Sequence, residues 1–531
     1  MTIAEYVAGR LKRLGVRYVF GIPGGTAIPY IEAYQNEGIE YILVSHEASA
    51  GVMASVTARI TGIPGVCHAT SGPGATNLLT GVGGAYLDRS PVIAFTDEVG
   101  EKMLHRTAQM NIDHQKLFAP VTKATFRLDP SNSSEIIDRA EEICKNEYPG
   151  PVHIGLPGNV AGEYVSQVRC RVTSSLSDEF EVNEEAILAL FRKSVRPLMA
   201  IGLTAARLME WSDIISCIDR LGIPVVVTPM AKGMISESHP CYAGVLFHSM
   251  SNELKGLVEK SDLIIGFGYD QVEYNYESWV PDVPVINFNT ITTDLPSGLN
   301  VNKYIGNTKS WVSLLDRIDP QNFISVSDDI GSVRGRISAA FEKYTGKFGP
   351  VTAIKVLQEE LPPDSMLAAD VGSHLHVLGQ FWQTGGRKNL LMTNGWSGMG
   401  FGLPAAVAAQ LSDRSSPVAC VTGDGGFLMT SGEMMTARRY NLPVIVVVFS
   451  DGELNLIRLK KSWQNLSPYG TSLYSGDLFG SNSFLGVPVL EAASEASMRK
   501  ALRSALKMKE PVIINSRIDP SDYSRLISAG V

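Results

Sequence analysis

Residues Gly423 to Ile457 constrain this chain more than any other stretch. An apolar strand ends at Cys420–Thr422, Gly423-Asp424-Gly425-Gly426 follows, a helical pattern comes next, and the β-branched run Val444–Phe449 leads into the acidic turn Ser450-Asp451-Gly452-Glu453. Strand, glycine turn, helix and strand make one unit of a parallel, helix-covered sheet. Glycines after a strand leave backbone that a diphosphate can approach. Asp424 and Asp451 fall at matching strand ends and offer hard oxygen ligands. Magnesium takes few protein carboxylates and shares its remaining positions between water and phosphate oxygens. The stretch therefore reads as a magnesium diphosphate site.

At 531 residues the chain exceeds what one hydrophobic core supports, and the length prior of roughly 150 residues per domain points to three domains. A formal net charge of −8, with no dense run of Lys and Arg, argues against a nucleic-acid partner. The six cysteines are scattered without a Cys-x-x-Cys pair and read as reduced, buried thiols. The N-terminal segment is an amphipathic helix without a signal-peptide core. No apolar run reaches the roughly 20 residues that span a bilayer. These features lead to the expectation of a cytoplasmic protein with no membrane partner.

Residues 1–165 alternate helical and strand patterns: strands at Tyr18–Phe20, Tyr41–Val44, Val66–Thr70 and Pro91–Thr96, with a glycine turn at Gly21–Gly25. Glu47 stands where the second strand gives way to a helix over Ala48–Thr61. It reads either as a first-turn acid favoured by the helix dipole or as a functional carboxylate at the ligand-binding edge of a parallel sheet. His68 and Thr70 share a strand face by the two-residue period; a satisfied core histidine is the plainer reading. The polar segment His105–Lys123, with Gln109, is the kind of loop where substrate-handling residues collect. Ser166–Asn183 reads as a linker. Residues 186–330 rebuild an α/β unit without a Gly-x-Gly-x-x-Gly turn, so no dinucleotide is signalled and a structural middle domain is expected. A second break, Asp319–Lys347, precedes a third unit over residues 348–531 that opens with a helix at Val351–Leu361. Its turns Asp370–His374, Asn394–Pro404 and Gly423–Gly426 fall at successive strand ends. The fold class expected is α/β, three domains, each a mostly parallel sheet flanked by helices. A faint echo between Thr76–Asp97 and Thr430–Asp451, both closing on Pro-Val-Ile and an aspartate, suits a first and third domain of one fold.

Several motifs together carry a resemblance. They are Gly-Asp-Gly at 423–425, an acidic turn 27 residues after its aspartate, Met-Gly-Phe-Gly-Leu-Pro-Ala-Ala at 399–406, Phe-Gly-Ile-Pro-Gly-Gly at 20–25, and His-Glu followed by Thr-Ser-Gly-Pro-Gly-Ala-Thr-Asn at 70–77. The chain resembles thiamine-diphosphate-dependent decarboxylases and carboligases over essentially its full length, and among them acetolactate synthases. Gly-Tyr-Asp-Gln-Val-Glu-Tyr at 268–274 is similar to the catabolic, flavin-free type.

The resemblance implies a set of roles. Asp424, Asp451 and the backbone carbonyl of Glu453 bind Mg²⁺. Gly423, Gly425, Gly426 and the Ser373-His374 turn hold the diphosphate. The backbone at Ser397 and Met399 meets the aminopyrimidine, with Met399 bending the cofactor, and Ile457 lies beside it. Glu47 bonds the pyrimidine ring nitrogen and promotes proton removal from the thiazolium. The family places cofactors between subunits, which implies a homodimer or homotetramer acting on a 2-keto acid. FAD is not expected. Gly25, His68 and Gln109 are substrate-side candidates, taken from strand ends and loops on the side of Glu47.

Departures from the family qualify this picture. Relatives show Asn-Asn where this chain has Ser450-Asp451, so the second ligand is a carboxylate and loss of cofactor at low pH sharpens. The Phe-Gln pair of anabolic acetolactate synthases is not reproduced at Gln109-Met110, nor their tryptophan near Lys460. Ile457 stands where simple pyruvate decarboxylases place a protonating glutamate, which suits a carboligase. A non-ligating 2-keto acid decarboxylase, a non-catalytic paralogue and a flavin oxidase of the same fold are the alternatives.

Overall fold

Apolar strands and amphipathic helices alternate through three sheets in a computed structural model that describes residues 1–165, 183–208, 211–294, 298–343, 346–386 and 389–528. The first sheet holds β1 (Tyr18–Ile22), β2 (Glu40–Leu43), β3 (Gly65–Ala69), β4 (Val92–Glu98), β5 (Ala124–Arg127) and β6 (Val152–Pro157) in the order β2-β1-β3-β4-β6-β5, every pair parallel. The middle sheet holds β7 (Pro197–Ile201), β8 (Val225–Val227), β9 (Tyr242–Val245), β10 (Leu263–Phe267), β11 (Val285–Asn289) and β12 (Val301–Ile305) in the order β12-β11-β10-β7-β8-β9, also parallel. The third holds β13 (Met366–Ala369), β14 (Leu390–Leu391), β15 (Val418–Gly423), β16 (Ile445–Ser450), β17 (Ser483–Phe484), β18 (Val487–Ala492) and β19 (Val512–Arg517). Its order is β14-β13-β15-β16-β19-β18-β17, with only β17 antiparallel among these pairs.

Setting aside the two-residue strand β17, the third sheet repeats the strand order of the first. The echo between Thr76–Asp97 and Thr430–Asp451 falls on equivalent elements, a helix and the fourth strand of each sheet. The fold is thus α/β, three domains with mostly parallel sheets flanked by helices. The linker reading at Ser166–Asn183 falls outside the described residues up to Asn183, whose side chain caps helix Glu184–Lys193. The break expected at Asp319–Lys347 instead carries helix Ser327–Glu342. Its buried residues Ile330, Val333 and Ile337 recur at helical spacing, a pattern that the serines, glycines and acids of the segment conceal.

Packing joins the first and third domains within one chain. Helix Glu47–Thr61 ends on Gly62 in the left-handed region (φ +74°) and lies against helix Gly402–Ser412, buried from Gly402 to Leu411. Their apolar residues share one core with β3, β15 and β16. All five described cysteines, Cys67, Cys144, Cys217, Cys241 and Cys420, are buried and unpaired, while Cys170 lies outside the described residues. No helix among the described residues is long and apolar enough to cross a membrane.

The middle sheet reverses its strand order between β7 and β10, the crevice where open α/β sheets take nucleotides. Here the crevice is stitched shut. Thr204 N–H donates to the Gly268 carbonyl at 3.0 Å, and Gly202 leaves no room for a side chain against the Tyr269 backbone. The Glu273 carboxylate then takes the amides of Leu203 (3.2 Å) and Met230 (3.0 Å), the donors an anionic ligand would need. Burial pushes the Glu273 carboxyl up to about 8. Between the ordinary glutamate value and about 8 the folded state holds the extra proton, so stability falls as pH rises through that window. Comparing thermal unfolding from pH 5 to pH 8, we expect wild type to lose stability relative to Glu273→Gln, with no such divergence below pH 4.

Candidate functional site

The third sheet reverses its strand order between β13 and β15, and the carboxyl ends of these strands open on a cavity of about 220 Å³. One buried carboxylate shapes its walls. Asp370, directly after β13 and without exposure, accepts N–H bonds from Val371 (2.7 Å), Gly400 (2.9 Å) and Phe401 (3.1 Å) and a hydroxyl bond from Thr422 (2.7 Å). Three turns separated in sequence are thereby tied to one side chain, and no side chain other than hydrogen fits at Gly426 beside it. Burial raises the Asp370 carboxyl while these donors oppose the rise.

Every third-domain residue singled out from the sequence lines this cavity. Ser373 and His374 sit in the first turn of helix Ser373–Phe381, where the helix dipole favours an anion. Ser373 Oγ and His374 Nε2 are buried without a protein partner. Burial lowers His374 to about 4, so its ring is neutral. Gly423, Gly425 and Gly426 form the floor, and Met399 reaches over Gly425. Ser397, in the left-handed region (φ +51°), and the half-exposed Ile457 stand at the rim.

The acidic end is equally defined. Asp424 Oδ2 accepts from Gly452 N–H (2.7 Å), Asp451 N–H (3.2 Å) and the Tyr474 hydroxyl (3.0 Å). Asp451 Oδ1 accepts from Glu453 N–H at 3.1 Å. The Glu453 carbonyl takes the Asn455 N–H at 2.9 Å and keeps a second lone pair, while its carboxylate holds the Thr471 hydroxyl at 2.6 Å. Burial and then the neighbouring Asp424 push Asp451 up to about 8; burial also raises Asp424. Two adjoining carboxylates that hold back a proton are a site in want of a cation, and orphaned donors a few residues away want an anion. Asp424, Asp451 and the Glu453 carbonyl are the groups fitted to a metal, and Ser373, His374 and the glycine amides those fitted to a diphosphate.

The first-domain residues lie elsewhere. Glu47 opens its helix and is 6% exposed, but it does not line this cavity in its own chain. Asn77 Nδ2 donates to Glu47 Oε2 at 3.0 Å and fixes the carboxylate's orientation. His68 is a core histidine: its Nε2 meets Asp97 Oδ1 at 2.9 Å, and the rings of Tyr30, Tyr34 and Phe95 surround it. It is 1% exposed, and every residue of β3 around it is buried. Gly25 and Gln109 are exposed, with nothing near the Gly25 Cα to crowd a ligand.

Glu98, His114 and His153 also cluster closely enough for a metal, but the protein itself saturates them. Gly72 N–H donates to His114 Nε2, so His114 Nδ1–H donates to Thr96 Oγ1, and His153 bonds Thr96 through Nε2 and Thr125 through Nδ1. Glu98 holds Gln115 and Arg127. Both histidines are kept neutral by burial.

Asp370, Asn77, Tyr474 and Tyr523, the last a further cavity wall, received no role from the sequence. Asp370 and Asn77 lie inside quoted motifs, where a polar residue beside a glycine turn was the available signal. Tyr474 had none, for it reaches Asp424 across 50 residues of chain.

Comparison with known proteins bears on this architecture. Family models of the thiamine pyrophosphate enzymes match along the chain: the N-terminal TPP binding domain at residues 1–117, the central domain at 185–302 and the C-terminal TPP binding domain at 370–516. The chain is 28% identical to a protein of Methanococcus aeolicus named probable acetolactate synthase large subunit, covering 100% of this chain and 94% of that one. It is 26% identical to the acetolactate synthase of Bacillus subtilis, over 99% and 94% of the two chains. It is 30% identical to the acetolactate synthase of Arthrospira platensis, over 96% and 92%. The two TPP binding domain matches fall on the two sheets of repeated topology, covering most strands of each, and the chain belongs to the thiamine pyrophosphate enzyme family.

Proposed function

We propose that the chain is a thiamine-diphosphate- and Mg²⁺-dependent enzyme that decarboxylates pyruvate or a similar 2-keto acid and joins the remaining fragment to a second carbonyl, giving an acetolactate-type product. The observation that carries this reading is the cavity between β13 and β15. It pairs two proton-retaining carboxylates with buried donors that lack partners, and it presents no acid at its Ile457 rim. Relatives named acetolactate synthase support the ligation step.

Thiamine diphosphate, when bound, supplies a carbon nucleophile and accepts the electron pair left when carbon dioxide departs. The chain's own residues do the rest. Asp424, Asp451 and the Glu453 carbonyl hold the metal, with Tyr474 fixing Asp424 from outside. Ser373 Oγ, His374 and the amides around Gly425 and Gly426 bind phosphate oxygens. Ser397 and Met399 offer backbone to the aminopyrimidine, and the Met399 side chain sets its position. Glu47, supplied by the partner chain of a homodimer, holds a proton at its carboxyl against a ring nitrogen. Asn77 occupies Oε2, so Oε1 is the oxygen presented. Ile457, Leu456 and Val371 would exclude water from the bound cofactor, and their apolar side chains offer no proton there, which suits a ligating enzyme. The Glu273-filled middle crevice supports a flavin-free enzyme.

Incubated with pyruvate, Mg²⁺ and thiamine diphosphate, the protein is expected to form acetolactate, read by mass spectrometry; release of acetaldehyde alone identifies a non-ligating decarboxylase instead. Glu47→Gln is expected to lower kcat roughly a hundredfold or more at saturating cofactor. Unchanged turnover would remove Glu47 from the reaction. Because Asp451 must lose its proton to bind a cation, Mg²⁺ affinity measured calorimetrically with thiamine diphosphate present should rise from pH 6 to pH 8 and then level off. Asp451→Asn should flatten that rise.

A further inference from the structure

The strand β2 is an edge strand, so one side of its backbone lacks a sheet partner. In this chain the third domain covers that side with side chains rather than with another strand. Tyr440 Oη accepts the Leu43 N–H at 2.8 Å and donates to the Tyr41 carbonyl at 3.3 Å. Arg439 donates to the Leu43 carbonyl at 2.7 Å. Glu433, 1% exposed, completes the row: Oε1 accepts N–H bonds from Ser45 (3.1 Å) and His46 (3.2 Å), and Oε2 accepts the Thr436 hydroxyl at 2.6 Å. Ser45 Oγ donates in turn to the Gly432 carbonyl at 2.7 Å.

The three residues closing this edge come from one helix, Glu433–Arg439, and its end at Tyr440. The glycine turn that floors the cofactor cavity leads into that helix through Asp424–Thr430. The backbone they hold is the segment that delivers Glu47. His46 N–H is fixed on Glu433 from one side. On the other side, Ala48 N–H donates to His46 Nδ1 at 3.1 Å, so both peptide neighbours of Glu47 are pinned. Asn77 then sets the carboxylate itself.

We infer that Glu433 is a positioning residue for Glu47: its carboxylate sets the backbone from which Glu47 reaches the cofactor ring. The inference rests on the reading of Glu47 as the proton-holding carboxylate. Ser45 N–H, which can only donate, faces both carboxylate oxygens, Oε1 at 3.1 Å and Oε2 at 3.3 Å, so an ionised carboxylate satisfies it and either orientation of an amide sets N–H₂ against it. Glu433→Gln keeps the shape of the side chain but turns an N–H₂ toward the Ser45 N–H. The local answer is a shift of the Ser45–Glu47 backbone, and displacement by about 1 Å costs on the order of a hundredfold in a positioned reaction. Among the described residues, Asp424, Asp451, Ser373 and His374 share no hydrogen bond with this row.

The test is the rate of hydrogen–deuterium exchange at the thiazolium carbon of bound thiamine diphosphate, followed by acid quench and NMR, on holoenzyme of wild type, Glu433→Gln, Glu433→Asp, Thr436→Val and Glu47→Gln. We expect Glu433→Gln to slow exchange at least ~10-fold and to lower kcat in proportion. KM and the affinity for magnesium thiamine diphosphate should stay within about twofold, since those contacts are untouched. Glu433→Asp, which retains the acceptors, should recover part of the rate. Thr436→Val removes one donor to Oε2 without disturbing the backbone bonds and should slow exchange only several-fold, which keeps the question open to measurement should Glu433→Gln fail to fold. Slow exchange in Glu47→Gln with a wild-type rate in Glu433→Gln and Thr436→Val overturns the positioning role alone. A wild-type rate in Glu47→Gln overturns the reading of Glu47 and this inference with it. An equal loss of exchange, KM and cofactor affinity in Glu433→Gln also overturns it, because that is a general collapse of the site.

Discussion

The cavity depends on the Asp370 carboxylate. A buried carboxylate costs several kcal/mol unless hydrogen bonds replace its water. Asp370 receives three backbone N–H groups and one hydroxyl, and those donors belong to turns that would otherwise have no reason to meet. Removing the carboxylate would strand these donors at about 1–3 kcal/mol each. The same device recurs one layer out. Asp88, 4% exposed, takes the amides of Asn394 and Gly395 and so ties the turn carrying Ser397 and Met399 to the first domain. Arg89, its neighbour, grips Asp270 of the middle domain through Nε at 2.7 Å. Two consecutive residues thereby tie the first domain to both of the others.

The repeated strand order gives the two outer domains matched parts with different uses. In each, the second strand runs out into a turn and then a helix: β2 leads to Glu47 and helix Glu47–Thr61, β14 to Met399 and helix Gly402–Ser412. These two helices pack on each other. Corresponding turns of the repeated architecture thus carry Glu47 in one domain and Met399 in the other. The fourth strands diverge as well. β16 ends at the carboxylates of the acidic site, whereas β4 ends in Asp97 and Glu98, each hydrogen-bonded within its own domain, Asp97 to His68 and Glu98 to Arg127 and Gln115. One domain keeps its strand-end acids available, and the other spends them on its own core.

What the sequence made legible follows from the range of the interactions concerned. The strands expected at Tyr41–Val44 and Val66–Thr70 fall within one residue of β2 and β3, because apolar runs bounded by turns are local signals. The residues of the Gly423–Ile457 stretch were legible for the same reason: glycine turns and strand-end acids declare themselves within a few positions. Glu433 was not, because its meaning lies in amides 387 and 388 residues away. Nor was Asp370 assigned a role, since Thr422 stands 52 residues downstream. His68 shows the converse limit. The two-residue period placed it on a face but not which way that face turns, and the Asp97 that claims it lies on the neighbouring strand. The helix Ser327–Glu342 was hidden because its apolar stripe is narrow, with three buried residues in sixteen.

The middle and third sheets offer a direct comparison of two crevices with one geometry. Both sit where parallel strand order reverses, the position that suits a ligand in any such sheet. Topology therefore does not decide which one binds. The state of the donors does. In the middle domain Glu273 reaches the amides of Leu203 and Met230, and the facing loops bond to each other, so an incoming anion would have to displace a side chain that already holds both amides. In the third domain Ser373 Oγ and His374 Nε2 are buried and unsatisfied, a condition that costs about 1–3 kcal/mol per group and that a phosphate oxygen would relieve. Buried polar groups left without partners are rare in folded proteins. Where they stand beside carboxylates that have been driven to keep a proton, the protein is less stable alone than with a charged guest, and both features meet at the crevice between β13 and β15.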